Sequence, residues 1–155
     1  MRIEYFQLID RVVEITDEPP SLTASATVPA KTTIFEGHFP GYPVMPGVLL
    51  IESMAQSAGF LLLWRNKFAK MPFLVGVREA KLRNFVPPSS VLDVRADIEH
   101  DGSGYASMKT SIHCKSDLIC NARLTLRFLP FPNDQLREHL EFVAREIELP
   151  DWTAS

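Results

Sequence analysis

The sequence predicts an α+β domain in which an antiparallel sheet wraps around one long central helix. The segment from Val48 to Trp64 is apolar nearly all the way round, which is typical of a helix inside a core. The last third of the chain alternates apolar and polar residues over long runs, which indicates antiparallel strands with one wet face. We expect a sheet of about five or six strands. Because this sheet buries a single helix, it must curl around that helix.

Composition and charge limit the class of protein. The chain has 155 residues, 46% of them hydrophobic and 23% charged, which is enough for one globular domain with its own core. A net charge of -3 does not indicate a nucleic-acid binder. The N-terminus has no basic region followed by an apolar one, so we expect a cytoplasmic protein without a signal peptide. Glu52 and Gln56 within the apolar helix argue against a membrane span.

The first half of the chain contains two predicted strands and a long loop. A strand is expected around Arg11–Thr16, and a turn with two prolines follows it. From Ser21 to Val28 small and apolar residues alternate with polar ones, which predicts a half-buried strand. Pro29 ends this strand. The following loop becomes rich in glycine and proline before it reaches the central helix, so neither a helix nor a central strand can continue through it.

The second half is predicted to be mostly β-structure. Phe73–Ala80, after the helix, has the composition of a mostly buried strand. Strong turn residues at Asp101–Gly104 then separate the first two of three long amphipathic strands. These three strands are expected at Leu92–Glu99, Ala106–Cys114 and Leu118–Phe128.

The predicted domain ends near residue 130, and residues 131–155 form a partly helical tail. Two prolines close the sheet, and Asn133 and Asp134 are suitable caps for a helix over roughly Gln135–Ile147. Apolar residues on one side of this helix would let it pack against the domain.

Cys114 and Cys120 are the two cysteines of the chain. Neither belongs to a C-x-x-C or Cys/His array, so no zinc site is expected and both are predicted to be free thiols. A three-residue turn between the last two strands would pair Lys115 with Ile119 and place Cys114 opposite Cys120.

A candidate active site lies around the start of the central helix. His38 is in a loop whose glycines and prolines restrict it, and a functional imidazole needs such fixing. Glu52 and Gln56 are one helical turn apart and therefore on one face. A buried carboxyl is costly unless it is paired, so an acid beside a positioned base suggests catalysis. Alternatively, Glu52 and Gln56 belong to a structural hydrogen-bond network.

Gly47 completes the candidate site. It follows Pro46 at the helix start, where unpaired N–H groups and the helix dipole suit a carbonyl oxygen that gains negative charge. Base, acid and oxyanion donor together fit removal of a proton next to a carbonyl, followed by loss of a leaving group. The other three histidines have the surroundings of ordinary polar residues: His100, His113 and His139.

A family resemblance makes this chemistry specific. Residues 37–56 read G-H-F-P-G-Y-P-V-M-P-G-V-L-L-I-E-S-M-A-Q, which closely resembles the β-hydroxyacyl-acyl carrier protein dehydratases of the FabZ type. Glu52 lies fourteen positions after His38 in the chain, as in that family. Further matches occur at Ile9-Asp10-Arg11-Val12 near the N-terminus and in A-K-L-R-x-x-V-P from Ala80 to Pro87.

The resemblance implies a hot-dog fold, a dimer, and in many members a hexamer built as a trimer of dimers. It implies active sites that each combine the histidine of one subunit with the acid of the other. His38 would act as base on C2 of a 3-hydroxyacyl thioester, and Glu52 would assist departure of the 3-hydroxyl group as water. The Gly47 N–H would polarise the thioester carbonyl, and Gln56 could orient the acid. The product would be a trans-2-enoyl thioester, with no metal or redox cofactor.

The partner implied by the resemblance is an acyl carrier protein. Such carriers are acidic, so the enzyme needs a local basic patch despite its negative net charge. Lys81 and Arg83 are the candidates for that patch, although a solvated face would explain the same residues.

The sequence also departs from the family pattern. The usual L-P-H-R-Y-P-F entry is replaced at Ile3–Leu8, V-x-P-G-D reads V-P-P-S-S at Val86–Ser90, and the tail after Phe131 is longer. This variant pattern is similar to a specialised alphaproteobacterial branch associated with the very long hydroxy-fatty acyl chain of lipid A.

Two alternative functions remain at this point. A FabA-type dehydratase also isomerises the double bond, but that group typically has aspartate at the position of Glu52. A non-catalytic acyl-binding protein of the same fold would have its histidine and acid held apart in the assembled dimer.

Overall fold

The structure is a computed structural model that describes residues 1–153. Six strands, three α-helices and a 3₁₀ turn make up its regular elements within those residues. After the 3₁₀ turn at Ile3–Tyr5, they are in chain order β1 (Arg11–Asp17), β2 (Pro20–Thr27), α1 (Thr33–Gly37), α2 (Gly47–Arg65), β3 (Met71–Leu82), β4 (Val91–Gly102), β5 (Tyr105–Cys114), β6 (Asp117–Leu129) and α3 (Asp134–Glu146).

The strands form one sheet in the order β1-β2-β4-β5-β6-β3, and every adjacent pair is antiparallel. Helix α2 contacts five of these strands, from β2 through β6, so the sheet curls around it. The predicted architecture, an antiparallel sheet around one central helix, is confirmed. Strands β1 and β3 are the two edges of the sheet.

Helix α2 is apolar all round because it is enclosed by the sheet. Its buried residues include the consecutive Phe60, Leu61, Leu62 and Leu63, which point in four different directions around the helix axis. The helix is long and apolar enough to cross a membrane, but most of it is buried inside the protein. Enclosure in the core therefore accounts for its composition.

Strands β4, β5 and β6 carry the alternation that the sequence predicted. Leu92, Val94 and Ala96 of β4 are fully buried, whereas Asp93 and Arg95 between them are exposed. A tight turn at residues 103–104, both with positive φ, joins β4 to β5. Such a turn matches the right-handed twist of the two strands that it connects.

Strand β3 is mostly exposed, so the prediction of a mostly buried strand was wrong. Val75 is 54% exposed and Leu82 is 54% exposed. The physical reason is position: β3 lies at the edge of the sheet and pairs with β6 alone among the described strands. An apolar run in the sequence cannot distinguish a covered strand from one whose cover would be another chain.

The predicted register of Cys114 and Cys120 was also wrong. Cys114 pairs with Asp117, and Cys120 lies opposite Ile112. The chain reverses through only two residues, the first of which is Lys115 with a φ of 57°. An irregularity in the pairing directly after Ile112 then restores the inward direction of Cys120.

The tail packs onto the domain through its far end. The Asn133 side chain caps α3 by accepting a hydrogen bond from the Leu136 N–H at 2.8 Å, as predicted. After α3, the carbonyl oxygen of Ile147 accepts a hydrogen bond from the Val12 N–H at 2.7 Å. The ring of Trp152 lies 4.7 Å from that of Phe68, which is fully buried. These contacts make the tail part of the single hydrophobic core.

The two thiols should differ in reactivity. Burial raises the pKa of the Cys120 thiol to about 11, whereas Cys114 is partly exposed. At about pH 8 the Cys120 side chain is therefore a thiolate, the reactive form, in only about one protein molecule in a thousand. We expect an alkylating reagent to modify Cys114 in the native protein and Cys120 only after denaturation, as measured by mass spectrometry. The Cys114→Ser variant is the control. Equally fast native labelling of that variant would contradict the assignment.

Candidate active site

Val44, a residue of the same loop, contacts both the backbone and the ring of His38. His38 follows α1, and its backbone N–H donates to the carbonyl oxygen of Ile34 at 2.9 Å. Its carbonyl oxygen accepts from the Val44 N–H at 3.0 Å, while its ring nitrogen Nδ1 lies 2.9 Å from the Val44 carbonyl oxygen. The ring also stacks on Phe39 at 4.1 Å. The imidazole is thus fixed in position and orientation, as the glycine- and proline-rich loop predicted.

The contact with Val44 also determines which ring nitrogen of His38 can act as a base. A carbonyl oxygen can only accept a hydrogen bond, so Nδ1 must carry the proton in that contact. In the neutral imidazole Nε2 then has the free electron pair. In this tautomer, Nε2 is the ring nitrogen of His38 that can accept a proton.

Glu52 is connected to the N-terminal segment through Gln56. The Gln56 Nε2 group donates to Glu52 Oε1 at 3.1 Å and to the Phe6 carbonyl oxygen at 2.8 Å. Gln56 Oε1 in turn accepts from the Leu8 N–H at 2.9 Å. Since the amide of Gln56 donates and accepts on fixed partners, it holds the carboxyl group in one orientation. Both readings of Gln56, structural network and orientation of the acid, are consistent with these contacts.

Glu52 lies in a cavity of about 460 Å³ beside α2. This volume is within the range of about 300–1,000 Å³ typical of small-molecule sites. Glu52 is half-buried there rather than enclosed in the core as the sequence predicted, because this face of α2 borders the cavity. Other walls of the cavity come from the N-terminal segment, the start of β3 and α3.

Among the described residues, His38 and Glu52 share neither a hydrogen bond nor a cavity. Glu52 and Gln56 line the cavity, but His38 is not among the described residues around it. The structure thus brings the acid together with its orienting amide and leaves the base in a separate loop. That loop is linked to the rest of the fold by a 2.7 Å hydrogen bond from the Met45 N–H to the Val86 carbonyl oxygen.

Gly47 is the first residue of α2. A Cβ at this position would overlap the Leu82 side chain at the end of β3. Its N–H belongs to the first turn of the helix, where intrahelical acceptors are lacking. Leu82 therefore lies directly against the helix end that the sequence proposed as the oxyanion donor.

Lys81 and Arg83 flank Leu82, and both are exposed. The guanidinium of Arg83 donates to the Asn121 side chain at 2.9 Å, and its backbone N–H donates to the Ile119 carbonyl oxygen at 2.9 Å. The proposed basic patch therefore lies next to the start of α2.

The sequence did not reveal that the N-terminal segment and the tail helix help to form the cavity. Phe6 and Leu8 hold Gln56 through backbone groups, which carry no residue-type signal. The apolar side of α3 could have indicated a contact but not its location. No group of three or more potential metal ligands of the His, Cys, Asp and Glu types occurs within residues 1–153.

Solved structures share this fold. The dehydratase heterocomplex ApeI:P from Xenorhabdus doucetiae matches with a TM-score of 0.66 and 21% identity, covering 89% of this chain and 90% of that one. The putative thioesterase yhdA from Lactococcus lactis matches with a TM-score of 0.65 and 11% identity, covering 84% and 99%. At these identities the likeness concerns the fold alone, and it confirms the hot-dog fold.

Sequence relatives identify the family. Residues 2–123 match the FabA-like domain. The 3-hydroxyacyl-[acyl-carrier-protein] dehydratase FabZ of Levilactobacillus brevis is 36% identical over 118 residues, 76% of this chain and 79% of that protein. The protein of the same name from Protochlamydia amoebophila is 34% identical over 124 residues, 80% of each chain. This chain therefore belongs to the FabA-like family and, within it, to the FabZ-type dehydratases.

Proposed function

We propose that this protein is a (3R)-hydroxyacyl-[acyl-carrier-protein] dehydratase of fatty acid biosynthesis. The family and its FabZ relatives support this activity, which is a hydro-lyase reaction. The observation that carries the mechanism is the hydrogen bond between His38 Nδ1 and the Val44 carbonyl oxygen, which leaves Nε2 as a base.

In the proposed reaction, His38 Nε2 removes the proton from C2 of the 3-hydroxyacyl thioester. The electron pair passes through an enolate to form the C2–C3 double bond, and the C3–O bond breaks. Glu52 donates a proton to the departing hydroxyl group, which leaves as water. The Gly47 N–H stabilises the negative charge on the thioester oxygen meanwhile. Gln56 holds the Glu52 carboxyl toward the substrate, and proton exchange with solvent restores both groups.

We also propose that each active site uses two subunits. The separation of His38 from the cavity of Glu52 within one chain supports this arrangement. We propose that the edge of β3 forms the contact between the two subunits. An unpaired strand edge with exposed apolar side chains can pair with another chain. Exposed apolar residues that would be covered in such a dimer are Phe39, Tyr42, Val48, Val75, Val77 and Phe85. A trimer of dimers is the larger assembly proposed from the family resemblance.

The proposed partner is an acidic acyl carrier protein that docks on Lys81 and Arg83. Their exposure and their position beside Gly47 support this site, because a carrier bound there could direct its thioester toward the helix start.

A narrower assignment concerns the acyl chain. We propose that this cytoplasmic enzyme serves the very long hydroxy-fatty acyl chain of lipid A. The variant N-terminal segment and the longer tail support it, and both contribute walls to the cavity. An activity profile over acyl chain lengths tests this assignment.

The roles of His38 and Glu52 can be tested by substitution. His38→Ala and Glu52→Gln should each lower kcat/KM for a 3-hydroxyacyl carrier-protein substrate by about 10²- to 10⁴-fold while the protein stays folded. The measurement is the formation of enoyl product, with circular dichroism to monitor the fold. His113→Ala is the matched control, since that histidine lies outside the site and should retain activity. Wild-type rates in either site variant would refute the mechanism.

Co-expression of the two inactive variants extends this test. If sites are shared between subunits, about half of the dimers are mixed and each of those has one intact site. About one quarter of the wild-type rate should then return. A mixture as inactive as its components would mean that each chain supplies its own base and acid.

The proposed dimer interface can also be tested by substitution. Val75→Lys should shift the protein to monomer and abolish activity, because it puts a charge into the proposed interface on the edge of β3. Val13→Lys is the matched control: Val13 is 55% exposed and Val75 54%, and both lie at irregularities of an edge strand. Light scattering measures the mass. An active monomer, or dissociation caused equally by both substitutions, would contradict the interface.

The carrier-protein site is tested by charge reversal. Lys81→Glu combined with Arg83→Glu should weaken binding of the acyl carrier protein about tenfold, mainly through slower association, and the effect should shrink at high salt. Surface plasmon resonance measures both. The control is Lys67→Glu with Lys70→Glu, which changes the charge equally at exposed positions after α2. Equal effects from both pairs would indicate net charge rather than a docking site.

A further inference from the structure

We infer that helix α3 of the tail, together with Gly59 of α2, forms the wall that limits the length of the acyl chain in the cavity. That the cavity holds an acyl chain rests on the proposed function. The role of the tail goes beyond that function, because the match to the FabA-like domain ends at residue 123, before α3 begins.

The cavity has the polarity that a fatty acyl chain requires. Glu52 and Gln56 supply polar groups next to the proposed reacting carbons. The walls formed by α2, β3 and β6 are mainly apolar, with Phe60, Leu63 and Leu126 among their residues. A thioester with its 3-hydroxyl group at Glu52 would therefore bury a hydrocarbon chain against these walls.

Gly59 indicates that this space is kept open. It lies in the middle of α2, where glycine is less favourable than alanine. Apart from its two chain neighbours and the backbone of the helix itself, no described atom lies within 4 Å of the position that its Cβ would occupy, so close packing does not require a glycine here. Gly59 lines the same cavity as Glu52 and lies two turns further along the same face of the helix. The missing side chain leaves volume for a ligand.

Leu140 and Val143 of α3 line the same cavity. They are one turn apart on the helix face that packs toward the core, and both are half-buried. Because Ile147, Leu149 and Trp152 anchor the following residues in the core, α3 is a fixed wall. Bulk on this face should shorten the space for the chain.

The test measures binding of saturated S-acyl pantetheine thioesters lengthened two carbons at a time. These probes lack the 3-hydroxyl group and cannot be dehydrated. Affinity should rise about fourfold per methylene until the chain reaches the wall, and then stop rising. Calorimetry on the full-length protein gives this limiting length for the wild type, Leu140→Trp, Gly59→Leu and Leu136→Trp.

Leu140→Trp and Gly59→Leu should each reach the limit at least two carbons earlier than the wild type. Leu136→Trp is the matched control, because Leu136 lies one turn away on α3, is equally half-buried and does not line the cavity. Its limit should not change. Gly59→Leu favours the helix, so it should fold. If Leu140→Trp does not fold, Val143→Ala replaces it and should lengthen the limit.

The same limiting length in the wild type and the cavity variants would overturn the inference. So would a shift with Gly59→Leu but not with the α3 variants, since the tail would then not form the wall. A wild type that binds the thioesters with the expected limit but does not dehydrate 3-hydroxyacyl substrates would refute the proposed function and leave the wall supported.

Discussion

The rest of the structure depends on the burial of one helix that is apolar around nearly its whole circumference. Such a helix is stable in water only if its sides are covered, and a single flat sheet covers one side. The six strands therefore curl, so that β2 through β6 all contact α2. The N-terminal segment and the tail complete the cover. Each adds a hydrogen bond: the Leu8 N–H donates to the Gln56 side chain, and the Ile147 carbonyl oxygen accepts from the Val12 N–H.

The functional groups occur where this cover is incomplete. Glu52, Gln56 and Gly59 share the face of α2 that borders the cavity, whereas Met54 and Leu61 face the closed core. A carboxyl group is tolerable at this boundary because Gln56 satisfies one of its oxygens and the cavity admits solvent or substrate. Enclosure of the helix and formation of the site are thus two results of the same packing.

The candidate base follows a different physical rule. His38 is positioned by a short loop in which the Val44 backbone contacts both its carbonyl oxygen and its ring, so its orientation is set by residues near it in the chain. The same region exposes apolar side chains beside the free edge of β3, which one chain cannot cover. An isolated subunit therefore contains all the proposed catalytic residues but not their proposed meeting point.

Local patterns determined much of this protein. The alternation in β4 to β6, the apolar helix, the Asn133 cap and the motif around His38 and Glu52 depend on neighbours in the chain, so they were readable in advance. Exposure of β3, the pairing of Cys120 with Ile112 and the contribution of α3 to the cavity were decided only by tertiary structure. Burial and register depend on which distant surfaces meet, and a turn shorter by one residue with a compensating irregularity leaves the alternation unchanged.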